Sequence, residues 1–285
     1  MMVPALLLLL TFCYVPMFGI IIAFQKFYPG LGIVHSKFVG WDNFKYMSEI
    51  PFIAQVVWNT IIIAFMKMAV GIALPIAVSI LLNEIRMKLV RTGIQTLIYL
   101  PHFLSWVILS GILIDLLSTK GMINQFIHAV FGSKPIFFLG DNHWFRFVLV
   151  LSDAWKEVGF STIVYMAAIT GINPSLYESA MLDGANRWKQ AIHITIPGML
   201  PIIVLLATLN LGNVLNAGFD QVFNLYNPAV YETGDIVDTA IYRMGLVEMQ
   251  YGLSTAVGLF KSVISLLLIS TSYLLAYRLA NYRIF

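Results

Sequence analysis

Six long apolar stretches decide what this chain can become. They run over about residues 3–25, 53–82, 94–117, 144–171, 198–224 and 252–277. Each is long enough for a hydrocarbon layer that takes roughly twenty apolar residues to cross. Backbone polar groups cannot stay unpaired in lipid, so such stretches must be helices or strands of a closed barrel. No period-two alternation runs through them, which leaves helices. The expectation is an all-α membrane protein of six transmembrane helices, one domain over residues 1–285. Charge agrees, because Asp, Glu, Lys and Arg make up only 11% of the chain. A soluble domain carries about a quarter, so this chain lacks the charge to cover a water-facing surface.

The first stretch has no Lys or Arg ahead of it and no small-x-small cleavage site behind it. A retained membrane helix therefore fits better than a cleaved signal peptide. The apolar run begins almost at residue 1, so a short cytoplasmic tail is expected ahead of it in the native chain. With six spans, residues 26–52, 118–143 and 225–251 share one side. Residues 83–93, 172–197 and the C-terminal tail share the other. Arg86, Lys88, Arg91, Arg187, Lys189, Arg278 and Arg283 fall on the second side, against Lys26, Lys37, Lys45, Lys120, Lys134 and Arg243 on the first. The counts nearly tie, but the second side has the shorter loops and the denser charge. That places it in the cytoplasm with both termini.

Residues 172–197 read INPSLYESAMLDGANRWKQAIHITIP. Asn173 is a helix cap and Pro174 sits at the first helical position, where its missing N–H costs nothing. About two turns follow, then Asp183-Gly184 as a turn with glycine in the left-handed region. A second helix is expected from Ala185, and Pro197 opens the next span. Leu176 and Ala180, and Tyr177 and Met181, are i, i+4 apolar pairs on a helix too short to have a core of its own. The alternatives are a surface helix resting on headgroups or spans, and a helix that docks on another protein.

Glu178-Ser179-Ala180, then Gly184, then Ile194-Thr195-Ile196-Pro197 resembles the EAA motif of importer-type ABC permeases, with Ser179 and Ile196 replacing the usual residues. The segment also lies between spans four and five, as the resemblance requires. Tyr28-Pro29-Gly30, residues 38–44 (FVGWDNF), residues 220–223 (DQVF), 226–232 (YNPAVYE), 235–239 (DIVDT) and 258–264 (GLFKSVI) resemble the carbohydrate-uptake permeases, in the LplB-like oligosaccharide and polysaccharide branch. The resemblance implies the type I importer permease fold in the inner membrane of a prokaryote. It makes 172–197 a cytoplasmic coupling helix that docks on a separate ATPase through Glu178, Ser179, Ala180, Asp183 and Gly184. The implied partners are a second permease subunit, two ATPase subunits that bind ATP and magnesium, an external sugar-binding receptor, and membrane lipid.

Polar residues inside the spans are the candidate path. Asn210, Asn213, Asn216, Asp220 and Asn224 recur at spacings of three and four in span five. Amides supply both donors and acceptors, as sugar hydroxyls need, although the same groups serve helix-to-helix bonding. Span four carries Asp153, Trp155, Lys156 and Glu157. Either Trp155 stacks on a sugar ring with Glu157 or Asp153 accepting its hydroxyls, or the charges form a structural network with Lys156, Lys67 and Lys261. Residues 235–243 place Ile236, Val237, Ala240 and Ile241 on one helical face and Asp235, Asp238 and Thr239 on another. Most external aromatics are expected to be interfacial anchors.

Other classes find little support. GxxxxGK[ST], HExxH and GxSxG are absent. The single cysteine, Cys13, excludes an internal disulfide and is expected to be an inert buried thiol. No basic run suggests nucleic acid, and no metal is expected. The alternative is an ion-coupled secondary transporter, which often shows repeated halves; no internal repeat is visible here.

Overall fold

The computed structural model describes residues 2–212 and 215–280. The first helical run, α1 (Val3–Phe24), starts α-helical and tightens to 3-10 winding over Val15–Phe24. A two-stranded antiparallel hairpin follows, β1 (Gln25–Lys26) against β2 (Lys37–Phe38). Next come α2 (Asp42–Glu49) and α3 (Pro51–Glu84), the latter 34 residues long. Pro51 stands in the first turn of α3, where no backbone bond is lost. The chain continues through α4 (Lys88–Tyr99), α5 (Trp106–Leu117), α6 (Met122–Phe131), α7 (Asn142–Thr170) and α8 (Pro174–Leu182). It ends through α9 (Arg187–Leu211), α10 (Phe219–Leu225), α11 (Val237–Tyr242) and α12 (Tyr251–Ala280).

Among the described residues, five helical runs are long and apolar enough to cross a membrane: Val3–Phe24, Pro51–Glu84, Trp106–Phe131, Arg187–Leu211 and Tyr251–Leu274. The 29-residue α7 has the length but carries Arg146, Asp153, Lys156 and Glu157. It packs along α3, the most extensive helix pair among the described residues, and Asp153 and Arg146 find partners there in Lys67 and Asn59. Phe145 and Leu149 from α7, Ile63 from α3, Val222 from α10 and Ile236 join in one core. A second cluster of Tyr165, Ile169 and Met199 ties the far end of α7 to α9.

Three sequence expectations need correction. The span expected at 94–117 is not one helix. It breaks at Leu100–Phe103, a 3-10 turn with Pro101, and Ser105 then caps α5 by accepting from the Ile108 amide. The span expected at 198–224 begins earlier, from an N-cap at Asn186 rather than at Ala185, and does not start afresh at Pro197. A π-turn over Ala191–Thr195 carries the helix into the proline. Pro197 lacks an N–H and its ring crowds the carbonyl four residues back, and the wider turn relieves both. Residues 215–218 are not helical, and a separate helix begins at Phe219. Cys13 is exposed rather than buried, because the first three turns of α1 bury nothing against the rest of the chain.

Candidate functional site

The break between α9 and α10 makes the candidate site. Gly218 has a φ of 92°, so an L side chain there would be strained, and a Cβ would lie 2.8 Å from the Lys67 Nζ. Lys67 reaches into the gap that the glycine leaves. Its ammonium donates to the Ala217 carbonyl at 2.7 Å and to the Gln221 side-chain oxygen, and it pairs with Asp153 at 3.3 Å. An ammonium has three hydrogens, and three acceptors surround this one. Gln221, fully buried, turns its amide nitrogen to the Leu149 carbonyl at 2.8 Å and the Ser152 hydroxyl at 2.7 Å. An interrupted helix leaves backbone groups without partners, and the side chain of α3 supplies one for Ala217.

Beside this knot is a cavity of about 290 Å³ lined by Lys67, Asp153, Glu157, Ser161, Asn210 and Asn216, among others. Asp153, Glu157 and Ser161 recur every fourth residue and so share one face of α7. Lys67 lies near the middle of α3, and Asp153 and Glu157 flank the middle of α7, so the polar surface sits at mid-depth. Glu157 is held from behind by the His102 Nδ1 at 2.8 Å, and His102 stacks on Phe160 with 4.3 Å between ring centres. Lys156 points away and donates to the His102 and Leu104 carbonyls at 2.7 and 3.0 Å, across the break between α4 and α5. On the other side of the cavity, Lys261 bridges Asn216 at 2.9 Å and Asp238 at 2.6 Å.

Of the expected path residues, Glu157, Asn210 and Asn216 come together around this cavity. Asn213 lies outside the described residues. Asp220 and Trp155 do not line it; Asp220 is exposed on α10 and Trp155 is 45% exposed on another face of α7. The asparagines do not form one continuous stripe, because the helix that was to align them is broken. The charges form separate pairs rather than one network: Lys67 takes Asp153, Lys156 lies 3.7 Å from Glu157, and Lys261 takes Asp238. Sequence reasoning missed Gln221 and His102 as structural partners. The available signal was polar side chains next to helix-breaking Gly218 and Pro101.

The expected docking segment forms α8 with the predicted cap, the Ser175 amide donating to the Asn173 side chain at 3.0 Å. Gly184 adopts φ 77°. Asp183, Gly184 and Ala185 donate their amides back to Ser179, Met181 and Ala180, which closes the turn. Nothing in α8 is buried. Glu178, Ser179, Asp183 and Gly184 are exposed and Ala180 is half-buried. Tyr177 bonds Thr195 at 3.0 Å, and an exposed Arg187–Glu84 pair at 3.4 Å adds little.

At the opposite end of α7, residues 226–247 form a cap. Asn59, fully buried, donates to the Glu232 and Asp235 carbonyls and accepts from Arg146 at 2.8 Å. Asp235 and Thr239, expected on a helical face apart from Ile236, Val237, Ala240 and Ile241, are themselves buried. The reason is Arg243, which meets Asp235 at 2.5 Å and lies over the Tyr231 ring at 4.6 Å. Burial works against the Arg243 charge, but the Asp235 hydrogen bond and charge outweigh it and raise its pKa overall. Burial, with Tyr231 and Asp235 adding to it, pushes the Tyr226 phenol up to about 12.

Comparison with known proteins completes the assignment. Residues 69–283 match the family described as the binding-protein-dependent transport system inner membrane component. The chain is 42% identical to the polygalacturonan/rhamnogalacturonan transport system permease protein YteP of Bacillus subtilis, over 99% of this chain and 86% of that one. It is 39% identical to the protein LplB of Bacillus subtilis, over 94% and 85%. The fold superposes with a TM-score of 0.88 and 36% identity on a chain of a bacterial alginate ABC transporter solved with an alginate pentasaccharide-bound periplasmic protein, covering 97% of this chain and 92% of that one. The interrupted helices, the mid-depth polar cavity and these likenesses have one explanation: the chain is a multi-pass permease of the binding-protein-dependent ABC importer family, an inner-membrane component.

Proposed function

We propose that the whole chain is one permease domain that forms one wall of a path for oligosaccharides released from polysaccharides. Its cavity carries the argument. Asn210 and Asn216 amides, the Ser161 hydroxyl and the Asp153 and Glu157 carboxylates present donors and acceptors together at mid-depth, and sugar hydroxyls need both. The names of the 42%-identical relative and of the superposable alginate transporter support a sugar cargo. The runner-up, an ion-coupled carrier, belongs to another family.

In this reading six helical passes put both termini in the cytoplasm, with α7 as the charged span. The exposed α8 docks on one of two ATPase subunits, which bind ATP and magnesium. ATP-driven closure moves the docked helix, and the bundle attached through α7 and α9 swings the cavity from one side to the other. A second permease subunit completes the path, and an external receptor delivers the sugar, as a periplasmic protein does in the alginate complex. The test is reconstitution of the four-subunit transporter with its receptor in vesicles, scoring uptake of labelled oligosaccharide. Uptake is expected to require ATP hydrolysis. Uptake driven by an ion gradient in the absence of ATP overturns the proposal.

A further inference from the structure

The chain between α5 and α7 has an apolar surface outside the polar cavity. At about 100° per residue, Met122, Ile123, Phe126, Ala129 and Val130 fall on one side of α6. Met122, Phe126 and Val130 are 71%, 65% and 56% exposed. The opposite side is fastened down at Asn124 and Ile127, while Phe131 at its last position is 75% exposed. The buried Asn124 donates to the Ser118 and Ile136 carbonyls at 2.8 and 2.9 Å and accepts from the Ile136 amide at 2.8 Å. Ile127 packs on the main core. At the foot of the helix a Cβ on Gly121 would lie 2.3 Å from the Leu116 carbonyl oxygen, so the turn out of α5 is closed tight. The apolar face is therefore held outward by its mount.

We propose that α6 is a membrane-surface helix, seated with this face in the headgroup–acyl boundary of a leaflet containing anionic lipid. It lies at the end of the bundle opposite α8, because α7 begins just after it and ends just before α8. Two observations favour lipid over a protein partner. The face continues from α5, whose Val107, Ile108, Ile112 and Ile114 are also exposed and belong to the same apolar run. Between Asp115 and Asp141 the chain carries Lys120, His128 and Lys134 and no Asp or Glu. Lysines at either end of a short apolar helix suit the phosphate level of an anionic leaflet, with the apolar face below it. Trp106–Phe131 has the length and composition of a span, but it is divided by the turn at residues 118–121; the ten residues of α6 rise only about 15 Å, half of what a crossing takes, and in this proposal they lie along the surface. The inference requires a membrane-spanning bundle and does not depend on which solute is carried.

The test uses the assembled transporter, with Cys13→Ser and its other subunits cleared of reactive thiols, in phosphatidylcholine–phosphatidylglycerol vesicles. Nitroxide labels are placed at Phe126→Cys and, as the reference, at Gln125→Cys. The expected result is oxygen access with loss of nickel-chelate access at position 126, and nickel-chelate access at 125. Nickel access at 126 equal to that at 125 means the face is in water. Loss of both probes at 126 means a protein covers it. Either overturns the proposal. Lys120→Glu with Lys134→Glu is expected to restore nickel access at 126 in these vesicles and to change nothing in phosphatidylcholine alone. No change in the anionic vesicles overturns the role of the lysines.

Discussion

The two ends of α7 differ in how they are finished. At one end the cap over residues 226–247 is closed by its own chain: Asn59 and Arg146 reach into it, and the Val237 amide donates to the Thr60 hydroxyl at 2.9 Å. At the other end α8 buries nothing and leaves Leu182 91% exposed. A helix of about two turns has no stability of its own, so α8 is ordered by a cap, a glycine turn and one tyrosine bond. One end is closed within the subunit, whereas the other is a projection that leaves Leu176, Met181 and Leu182 exposed. On the proposed reading that is the difference between a fixed lid and a lever.

Gly184→Pro is expected to separate the two ends most strongly. Proline fixes φ near −65° where the turn has 77°, so the projection loses its shape while the cap is untouched. Transport-coupled ATP hydrolysis is expected to disappear, with receptor docking intact. Gly184→Ala meets no atom within 4 Å and carries only the left-handed strain of about 1 kcal/mol, so it should keep much of the activity. Full coupling in the proline variant, measured in vesicles, would remove the lever from the mechanism.

Lys67→Met tests what lies between the two ends. It removes three contacts from the break between α9 and α10 and leaves Asp153 without its cation. A fall in transport of at least about tenfold is expected, equivalent to ~1.4 kcal/mol, with the assembled complex still purifiable. Lys67→Arg should recover little, because a planar fork does not reproduce three tetrahedral donors. Transport unchanged in both variants would mean that the knot does not shape the path.

How much of this was legible in advance follows from which forces act locally. The Asn173 cap with Pro174 and the glycine turn at 184 are set by neighbouring residues, and the structure has both where the sequence put them. The breaks at Pro101 and before Gly218 were read as continuous spans, because hydropathy registers apolar content and not helix continuity. Buried Asp235 and Thr239 looked like a polar face. Their burial depends on Arg243, eight residues beyond Asp235, folding back over the pair, and on Asn59, far earlier in the chain, bonding the Asp235 carbonyl. The site was legible as a set of polar residue types, but which of them share a cavity was not. That depends on a helical interruption over residues 215–218, before the chain resumes a helix at Phe219.

The cap offers a third test through Arg243→Met. Its guanidinium is mostly enclosed and Asp235 is almost wholly so, and an unpaired buried carboxylate is expensive. A loss of about 2–4 kcal/mol is expected, read as a lower Tm of the assembled complex and earlier hydrogen exchange at residues 231–243. Adding Asp235→Asn should return part of it, since the charge left unpaired is then gone. If the double variant is no better than the single, the ring stack with Tyr231 holds the cap rather than the ion pair.

Tyr226 reports on the same cap with the smallest effect. A free tyrosine ionises near pH 10, and burial beside Tyr231 and Asp235 moves this one up to about 12. The folded state therefore keeps a proton that the unfolded chain gives up earlier. The contribution from this group is present in full below about pH 10 and is lost as pH rises through the interval to about 12. Tyr226→Phe should flatten the decline in Tm over that interval, and subtracting its tyrosinate absorbance from that of the parent protein isolates the residue. In Arg243→Met the same transition should move higher still, because the nearby guanidinium favours the phenolate. A Tyr226 that titrates like a solvent-exposed tyrosine would mean the cap opens to water, and the contrast with α8 would then be one of degree.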